Sequence, residues 1–339
     1  MGSIYAPVQI IGGASGGTTQ SILGGSDGKV LERIGVWVGG WQVKAIRMWL
    51  TDSSSRLFGN PSGPYKELSF APGERITKLS LWGNGAGTRL GWIRFETSQN
   101  QLFDHGMTDW GRKQEYPIDV ASGICVGAYI GAGSDIDRMG FVFLKPILHS
   151  RLINVSYPNL ALDTAGILPE TLDSYKDKNT GSISRNWEFG GSREITTSSS
   201  WTLSTGLEVH SEVTVKAGIP LVAEVEGKFG WQVSVTGTYQ TSSETKKTVS
   251  WKQSGTLQPG QSVDLTALVR RGTINIDYSG SVEVTLKSGA LFQYPLKGRY
   301  YGVSVTSVEV VDNSTKKAVF EPKIEETAFL VMEAALEKI

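Results

Sequence analysis

The chain has 339 residues, which is too many for one ordinary hydrophobic core, so two domains are expected. Lysine plus arginine and aspartate plus glutamate both count 33, giving a formal net charge of zero, which argues against a nucleic-acid binder. The 41 glycines, without a strict Gly-x-y period, are typical of short strands joined by tight turns. We therefore expect an all-β protein without a nucleic-acid partner.

The first residues, Met1–Tyr5, lack the basic and apolar regions of a signal peptide. No apolar run approaches the roughly 18 residues of a transmembrane helix. We therefore expect a soluble, leaderless protein that is either cytosolic or released by a non-classical route. The single cysteine, Cys125, lies in an apolar run and is expected to be a buried, inert thiol.

Short β-rich or alternating runs separated by glycine turns occupy the first 145 residues. The runs that predict strands are Val36–Val38, Val43–Leu50, Ile76–Trp82, Leu90–Phe95 and Ile124–Ile130. Beyond Lys145-Pro146, Ser and Thr become more frequent and the strands lengthen, although residues 156–195 show little pattern and predict a long connection. We place a domain boundary there, with a first domain over residues 1–148 and a second over residues 149–339.

A glycine, a short turn and an alternating strand occur three times in the first domain. The copies are Gly40–Ile46, Gly73–Leu79 and Gly133–Met139. Three copies predict approximate threefold symmetry. Only the third copy has a carboxylate, Asp137, at its fifth position, where the first copy has Lys44.

The third copy opens with Gly133-Ser134-Asp135-Ile136-Asp137, and a second glycine-rich segment runs from Gly12 to Gly17. A carboxylate such as Asp137 accepts charge-assisted hydrogen bonds from two neighbouring hydroxyls of a pyranose. Backbone N–H groups in a tight turn donate to the same sugar oxygens, and glycine lets the backbone approach closely. These segments therefore predict a sugar site. Alone, the Gly-x-x-x-Asp pattern equally fits glycines that only form turns and an aspartate that only caps one.

Together the two segments resemble the Gly-x-x-x-Asp signature and the facing glycine loop of jacalin-related lectins, over roughly residues 5–146. The resemblance implies a β-prism of three four-stranded sheets and mannose-type ligands. It implies that Asp137 supplies the carboxylate and that the N–H groups of Asp135 and Ile136 lie beside it. Ser134 stands where the family often has an aromatic side chain for stacking on the sugar. The residues that the resemblance places in the site are Gly16, Gly17, Gly133, Ser134, Asp135, Ile136 and Asp137.

The longest pattern in the chain is a period-2 alternation from Leu203 to Val235, with apolar side chains at the odd positions. It predicts a hairpin over residues 203–235 with its turn at Gly218–Pro220, and the equal parity of the arms favours an odd loop. Each arm exceeds the roughly 9–11 residues that a tilted strand needs to cross a bilayer, apolar outward and polar inward. The side chains predicted to enter the membrane are Leu207, Val209, Val213, Val215, Ile219, Leu221, Val225, Phe229, Trp231 and Val233.

A lone hairpin cannot remain in lipid, because its outer N–H and C=O groups would lack partners. The membrane hypothesis therefore requires a homo-oligomer that assembles from a soluble monomer or dimer. It also requires a soluble form in which the apolar face is covered. The alternative is an ordinary sandwich hairpin with one face on a core.

The segment Lys216–Glu224 resembles the tip of the insertion hairpin of aerolysin-like proteins. The surrounding chain, from Tyr157 to Phe320, resembles the aerolysin module of natterin-like proteins. A jacalin-type domain followed by this module is the architecture of the fish aerolysin-like lectins. The resemblance implies an all-β chain with an N-terminal jacalin-type β-prism and a C-terminal elongated aerolysin-type β module. Residues 321–339 have no counterpart in it, and their apolar spacing from Ile324 predicts a short helix.

No catalytic motif is recognisable, and the three histidines, His105, His149 and His210, lie far apart in the sequence. We therefore expect neither an enzyme nor a cofactor or metal site. The sequence predicts a mannose-binding lectin that forms pores in lipid membranes. The alternative is a non-lytic lectin that uses its C-terminal module for dimerisation or spacing.

Overall fold

The computed structural model describes residues 3–160, 166–204, 206–225 and 228–320. Nearly all regular structure in these ranges is β-strand, which confirms the predicted all-β fold. Short 3-10 helices occur at Gly25–Asp27 and Leu207–His210. Within the described ranges, no helix is long and apolar enough to cross a membrane. The helix expected after Ile324 lies outside the described residues and stays a prediction.

Contacts divide the chain into two compact units, each built from several segments. Unit 1 comprises Met1–Ser156, Leu203–Lys216 and Ser279–Gly298. Unit 2 comprises Tyr157–Thr202, Ala217–Tyr278 and Arg299–Ile339. The chain therefore enters and leaves each unit more than once.

Three four-stranded antiparallel sheets form most of unit 1, with strand orders β1-β12-β11-β2, β5-β4-β3-β6 and β10-β7-β8-β9. Their strands are β1 (Ile11–Gly12), β2 (Thr19–Leu23), β3 (Leu31–Val38), β4 (Val43–Leu50), β5 (Ser55–Gly59), β6 (Tyr65–Ser69), β7 (Ile76–Gly83), β8 (Leu90–Thr97), β9 (Leu102–Gly106), β10 (Glu115–Ile118), β11 (Cys125–Ala132) and β12 (Ile136–Phe143). The predicted β-prism of three four-stranded sheets is confirmed.

The three sheets repeat one design, because each has a central pair of eight-residue strands with register shifts near both ends. The turns that join the central pairs, residues 39–42, 84–89 and 133–135, are therefore equivalent. The predicted second repeat, Gly73–Leu79, is out of phase, since it leads into β7 and does not lie between two paired strands. A glycine and a turn precede many strands in this chain, so the short pattern did not show which turn belongs to the second repeat.

Alternating apolar side chains of the central strands fill the interior of the prism. Fully burying each such side chain contributes about 1.5–3 kcal/mol relative to exposure. Phe95 stacks on Phe103 with ring centroids 4.9 Å apart. Other members of the buried cluster include Ile34, Val36, Ile46, Met48, Leu81, Ile93, Ile130, Met139 and Phe141. This core fixes the strand ends from which the three equivalent turns project.

The remaining strands include much longer ones, of which the longest has 25 residues. They are β13 (Ile147–Ser156), β14 (Ile167–Lys178), β15 (Arg185–Trp201), β16 (Val213–Ala217), β17 (Pro220–Val225), β18 (Lys228–Val233), β19 (Gly237–Gln240), β20 (Ser242–Leu257), β21 (Ser262–Leu286), β22 (Leu291–Val305), β23 (Glu309–Asp312) and β24 (Lys317–Phe320). In unit 1, β13 pairs in parallel with β16 and antiparallel with the end of β21. In unit 2, β14 pairs with the start of β21, and β15 pairs with β20 along nearly its whole length.

The long connection expected over residues 156–195 is wrong, because β14 and most of β15 lie in this segment. Leu172 and Phe189 are buried in the core of unit 2, while polar and charged side chains and glycines occupy most of the exposed positions of β14 and β15. So few apolar side chains give little period-2 alternation in the sequence. Strands form here because their backbone groups pair with β20 and β21, which lie far away in the sequence.

The predicted turn of the hairpin at Gly218–Pro220 is also wrong. Strands β17 and β18 pair from Pro220 with Val233 to Val225 with Lys228, so Gly218 and Ile219 precede the paired strands and Pro220 begins the first of them. Each residue of one strand faces a residue of opposite parity on the other, because two residues, an even number, separate the strands in sequence. Apolar odd positions on β18 therefore lie opposite even positions on β17, and the continuous apolar face predicted across both arms is absent from the described pairing.

Candidate functional site

Asp137 lies at the start of β12, where the turn 133–135 enters the strand, and is 3% exposed. Its Oδ2 accepts a 2.6 Å hydrogen bond from the N–H of Gly17, and its Oδ1 lies 3.0 Å from Nη1 of Arg89. The N–H of Gly13 donates to the carbonyl oxygen of Asp137 at 2.7 Å. The structure thus brings the two glycine-rich segments of the predicted site together on one carboxylate.

The glycine loop fits against Asp137 only because its members have no Cβ. Gly16 has φ near +125°, and a Cβ there would lie 2.5 Å from Cγ of Asp137. A Cβ at Gly17 would overlap the carbonyl oxygen of Ala132, and one at Gly12 the carbonyl oxygen of Asp137. Glycine is therefore required at these positions because the loop lies so close to Asp137 and Ala132, and not only because the loop turns.

A second carboxylate, Asp135, is 9% exposed and lies beside the first in the same cluster. Its Oδ1 lies 2.7 Å from Nζ of Lys44, and its Oδ2 accepts a 3.0 Å hydrogen bond from Nε2 of Gln42. Nε of Arg89 lies 3.7 Å from the same Oδ2. Two cations thus compensate two nearly buried carboxylates, which is the condition for burying such charges without a large penalty.

The sequence did not predict Arg89 and Gln42 as site residues. Each comes from one of the equivalent turns, Gln42 from residues 39–42 and Arg89 from residues 84–89, and both meet the third turn at Asp135. Their contacts span 93 and 46 residues of sequence, so no local pattern marks them. The threefold repeat was the available signal, and its out-of-phase second copy concealed the turn that carries Arg89.

The other predicted sugar-site residues lie around this cluster. Gly133 and Ser134 are exposed, and the carbonyl oxygen of Ser134 accepts a hydrogen bond from the N–H of Asn60 at 2.9 Å. The side chain of Ile136 is fully buried in the core, so this residue offers only backbone atoms to a ligand. Each oxygen of Asp137 already accepts from the chain but keeps further lone pairs, because a carboxylate has about four acceptor sites.

The hairpin of β17 and β18 forms a two-stranded sheet of its own in unit 2. Val222 and Trp231, which face each other across the hairpin, are both buried over Gly272, where a Cβ would lie 2.5 Å from Cγ2 of Val222. The guanidinium of Arg270 lies 4.8 Å from the ring centre of Phe229. The N–H of Val222 donates to Oγ of Ser304 at 3.1 Å. Side-chain packing thus covers an apolar part of the hairpin.

The predicted membrane-entering side chains fall into three groups. Leu207 and Val209 lie in a 3-10 helix of unit 1, not in the predicted strand arm, and Leu207 donates its N–H to the carbonyl oxygen of Gly28 at 2.7 Å. Val213 and Val215 are buried in β16, beside β13. The rest lie in or next to the hairpin: Trp231 is buried, Ile219, Leu221 and Phe229 are half-buried, Val233 is 50% exposed, and the side chain of Val225 is outside the described ones.

His149 and His210 are distant in sequence, but both line a cavity of about 700 Å³ in unit 1, together with Arg75 and Lys287. Among the residues that the structure describes, no group of three or more His, Cys, Asp or Glu side chains is arranged to hold a metal ion.

Comparisons with known proteins agree with this architecture. Residues 8–142 match the family described as the Jacalin-like lectin domain. The crystal structure of a lamprey immune protein is 38% identical, with a TM-score of 0.85, and the match covers 92% of this chain and 99% of that one. A search of curated proteins found no match.

Two plant lectins match less than half of the chain. Malaysian banana lectin is 20% identical with a TM-score of 0.34, over 42% of this chain and 99% of its own. A mannose-binding jacalin-related lectin from Ananas comosus is 21% identical with a TM-score of 0.35, over 42% of this chain and 99% of its own.

The prism, its converging loops and the matched residues define the first part of the chain as a jacalin-like lectin domain. The whole chain belongs to the family of the lamprey immune protein, because the identity extends over nearly the full length of both chains. The resemblance to the aerolysin-like lectins with an N-terminal jacalin-type domain, predicted from the sequence, is confirmed.

Proposed function

We propose that this protein binds mannose-type glycans on membranes and then forms a β-barrel pore. In this proposal the lectin domain, residues 1–148, docks on the glycans. Residues 149–339 form the pore-forming module, which oligomerises from a soluble monomer or dimer. Segments within residues 203–235 of several subunits then enter the bilayer. The protein is thus soluble first and membrane-inserted only as an oligomer, without a catalytic step.

The observation that carries the pore proposal is the separate hairpin of β17 and β18. Among the residues that the structure describes, its strands pair only with each other, and its apolar side chains Val222 and Trp231 are covered by packing over Gly272. Such a hairpin can leave its neighbours without breaking a continuous sheet. In lipid its outer edges need partners, and equivalent hairpins of neighbouring subunits supply them when a barrel closes.

The glycan proposal rests on the cluster around Asp137. Its carboxylate keeps acceptor sites for sugar hydroxyls, and charge-assisted hydrogen bonds of this kind are about twice as strong as neutral ones. The order of the residues, Gly133 to Asp137 facing a glycine loop, supports mannose-type sugars through the jacalin-related resemblance. The exposed Gly133 and Ser134 leave room beside the carboxylate.

One observation favours a non-lytic lectin as the second candidate. Leu207, Val213 and Val215 are buried in unit 1, where β16 pairs with β13, so this half of the segment has a structural role in the described form. A lectin that used its second module only for spacing or dimerisation would keep these contacts permanently.

Release of a trapped dye from liposomes separates the two candidates. Vesicles that display high-mannose glycans should leak on addition of the protein, and free mannose should suppress the leakage while galactose should not. Vesicles without glycans are the matched control and should leak much less. Binding and agglutination without leakage, at neutral or acidic pH or after limited proteolysis, would contradict pore formation and support the non-lytic lectin.

The substitution Gly16→Ala should weaken glycan binding. The new methyl group would lie 2.5 Å from Cγ of Asp137, and φ near +125° is strained for alanine. Such strain costs about 1–3 kcal/mol, and relieving it displaces the glycine loop or the carboxylate of Asp137 from the site. We therefore expect the Kd for a mannose-type oligosaccharide to rise about tenfold or more in calorimetry. The control is Gly83→Ala, whose methyl group would lie at an ordinary van der Waals distance, 3.8 Å, from the carbonyl oxygen of Arg89. Equal affinity of the two variants would contradict the placement of the site.

A further inference from the structure

Two tryptophans, Trp41 and Trp110, form an exposed aromatic pair at the end of the prism that carries Asp137. Each is 45% exposed, and their ring centroids lie 6.0 Å apart with an interplanar angle of 35°. The N–H groups of Asp109 and Trp110 donate to the carbonyl oxygen of Gly40 at 2.8 and 3.2 Å, which ties the two loops together. An aromatic pair that is held in place and left in water is a surface suited to a ligand.

The loop that carries Trp41 also contributes a residue to the Asp137 cluster. Trp41 directly precedes Gln42, which is 3% exposed and donates to Oδ2 of Asp135 at 3.0 Å. Oε1 of Gln42 has no hydrogen-bond partner among the described residues. The loop that carries Trp41 thus lies next to the residues that support the proposed sugar site.

The groups around the pair fit a sugar. A pyranose has an apolar C–H face and a rim of hydroxyls, and sites for such ligands combine an apolar or aromatic surface with a few polar groups. Trp41 and Trp110 offer the aromatic surface. The exposed carboxylate of Asp109, whose Oδ1 accepts from Oγ1 of Thr108 at 2.7 Å, offers an acceptor, and Nζ of Lys113 lies 5.9 Å from the centre of the Trp110 ring. A purely apolar partner would gain nothing from these charges.

We propose that Trp41 and Trp110 form a second subsite, which stacks on a further pyranose of the same glycan whose terminal mannose binds at Asp137. This inference rests on the proposed glycan binding. The two subsites gain affinity together, because binding at one raises the effective concentration of the linked sugar at the other. Stacking comes from this neighbouring loop, since Ser134 lacks an aromatic ring.

Calorimetry with two probes, methyl α-mannoside and a branched high-mannose oligosaccharide, tests the subsite on the full-length protein. The variants Trp41→Ala and Trp110→Ala should each weaken oligosaccharide binding about tenfold and leave the affinity for methyl α-mannoside unchanged. Tyr65→Ala is the matched control, because Tyr65 is a 44% exposed aromatic residue paired with Trp37, on a sheet and not on this loop. It should change neither affinity.

The outcomes separate failure of the subsite from failure of glycan binding. Wild-type affinity of both tryptophan variants for the oligosaccharide would overturn the subsite alone, and so would an equal loss for both probes. A wild-type protein that binds neither probe would overturn the mannose proposal and the subsite with it. Addition of the oligosaccharide should also shift the tryptophan fluorescence to shorter wavelength in the wild type, and by less in Trp41→Ala.

Discussion

A disulfide between cysteines introduced as Val222→Cys and Gly272→Cys is expected to abolish vesicle leakage and leave glycan binding unchanged. An ideal Cβ at Gly272 lies 2.5 Å from Cγ2 of Val222, so the two Cβ atoms are at most about 4 Å apart, within disulfide range. The ring of Trp231, 2.7 Å from the same Cβ position, must shift slightly. The bond would hold the hairpin over β21 and prevent its entry into lipid.

Reduction provides the internal control for this variant. Dithiothreitol should restore leakage from glycan-bearing vesicles to the level of the reduced wild type, and each single-cysteine variant should leak with or without reductant. The native Cys125 should not interfere, because burial raises the pKa of its thiol to about 12. Full leakage from the oxidised double variant would show that β17 and β18 stay in place during pore formation.

The substitution Asp137→Asn should cause the largest loss of glycan binding. The asparagine keeps an oxygen for the N–H of Gly17 but lacks the charge that strengthens hydrogen bonds from sugar hydroxyls. A hydrogen bond to a charged group contributes about 1.5–3 kcal/mol, so we expect the Kd for a mannose-type glycan to rise about ten- to a hundredfold. Leakage from glycan-bearing vesicles should fall in parallel.

The matched control for this variant is Asp119→Asn. Asp119 is exposed and also accepts a hydrogen bond from a backbone N–H, that of Ala121 at 2.9 Å, in a turn of the same domain. It should bind glycan as the wild type does. If Asp137→Asn behaves like Asp119→Asn, then Asp137 only caps the glycine turn and the sugar binds elsewhere.

Much of the prism is predictable from sequence because its signals are local. Period-2 alternation indicated the central strands such as β4 and β7, and glycine turns separated them. The sequence did not show which three turns of the repeat are equivalent. Gly73–Leu79 has the same pattern as the other two copies, and only the strand pairing shows that the equivalent turn is residues 84–89.

The sugar site was partly predictable for a similar reason. The glycines and Asp137 share short motifs, whereas Arg89 and Gln42 reach the cluster through tertiary contacts that no short pattern records. The sequence also did not predict that Trp41 and Trp110 are exposed, because tryptophan in an alternating sequence fits a core as well as a surface.

The hairpin was mispredicted because alternation continues through Gly218–Pro220. Apolar residues at odd positions on both sides suggested one face, but strand pairing, not parity, decides which side chains share a face. Val222, an even position, therefore faces Trp231. Partner strands contributed by distant segments, such as β13 beside β16, also decide which half of the segment is free to form a hairpin.

Movement of the hairpin into lipid is the central claim, and an environment-sensitive dye on Val233→Cys tests it most directly. Val233 is 50% exposed in β18 and accessible to labelling, and an identical dye on Leu291→Cys, at a 47% exposed position in unit 1, is the control. With vesicles bearing high-mannose glycans, emission of the Val233 label should shift strongly to shorter wavelength, free mannose should prevent the shift, and the Leu291 label should change little. An unshifted Val233 label on vesicles that demonstrably bind the protein would contradict the claim.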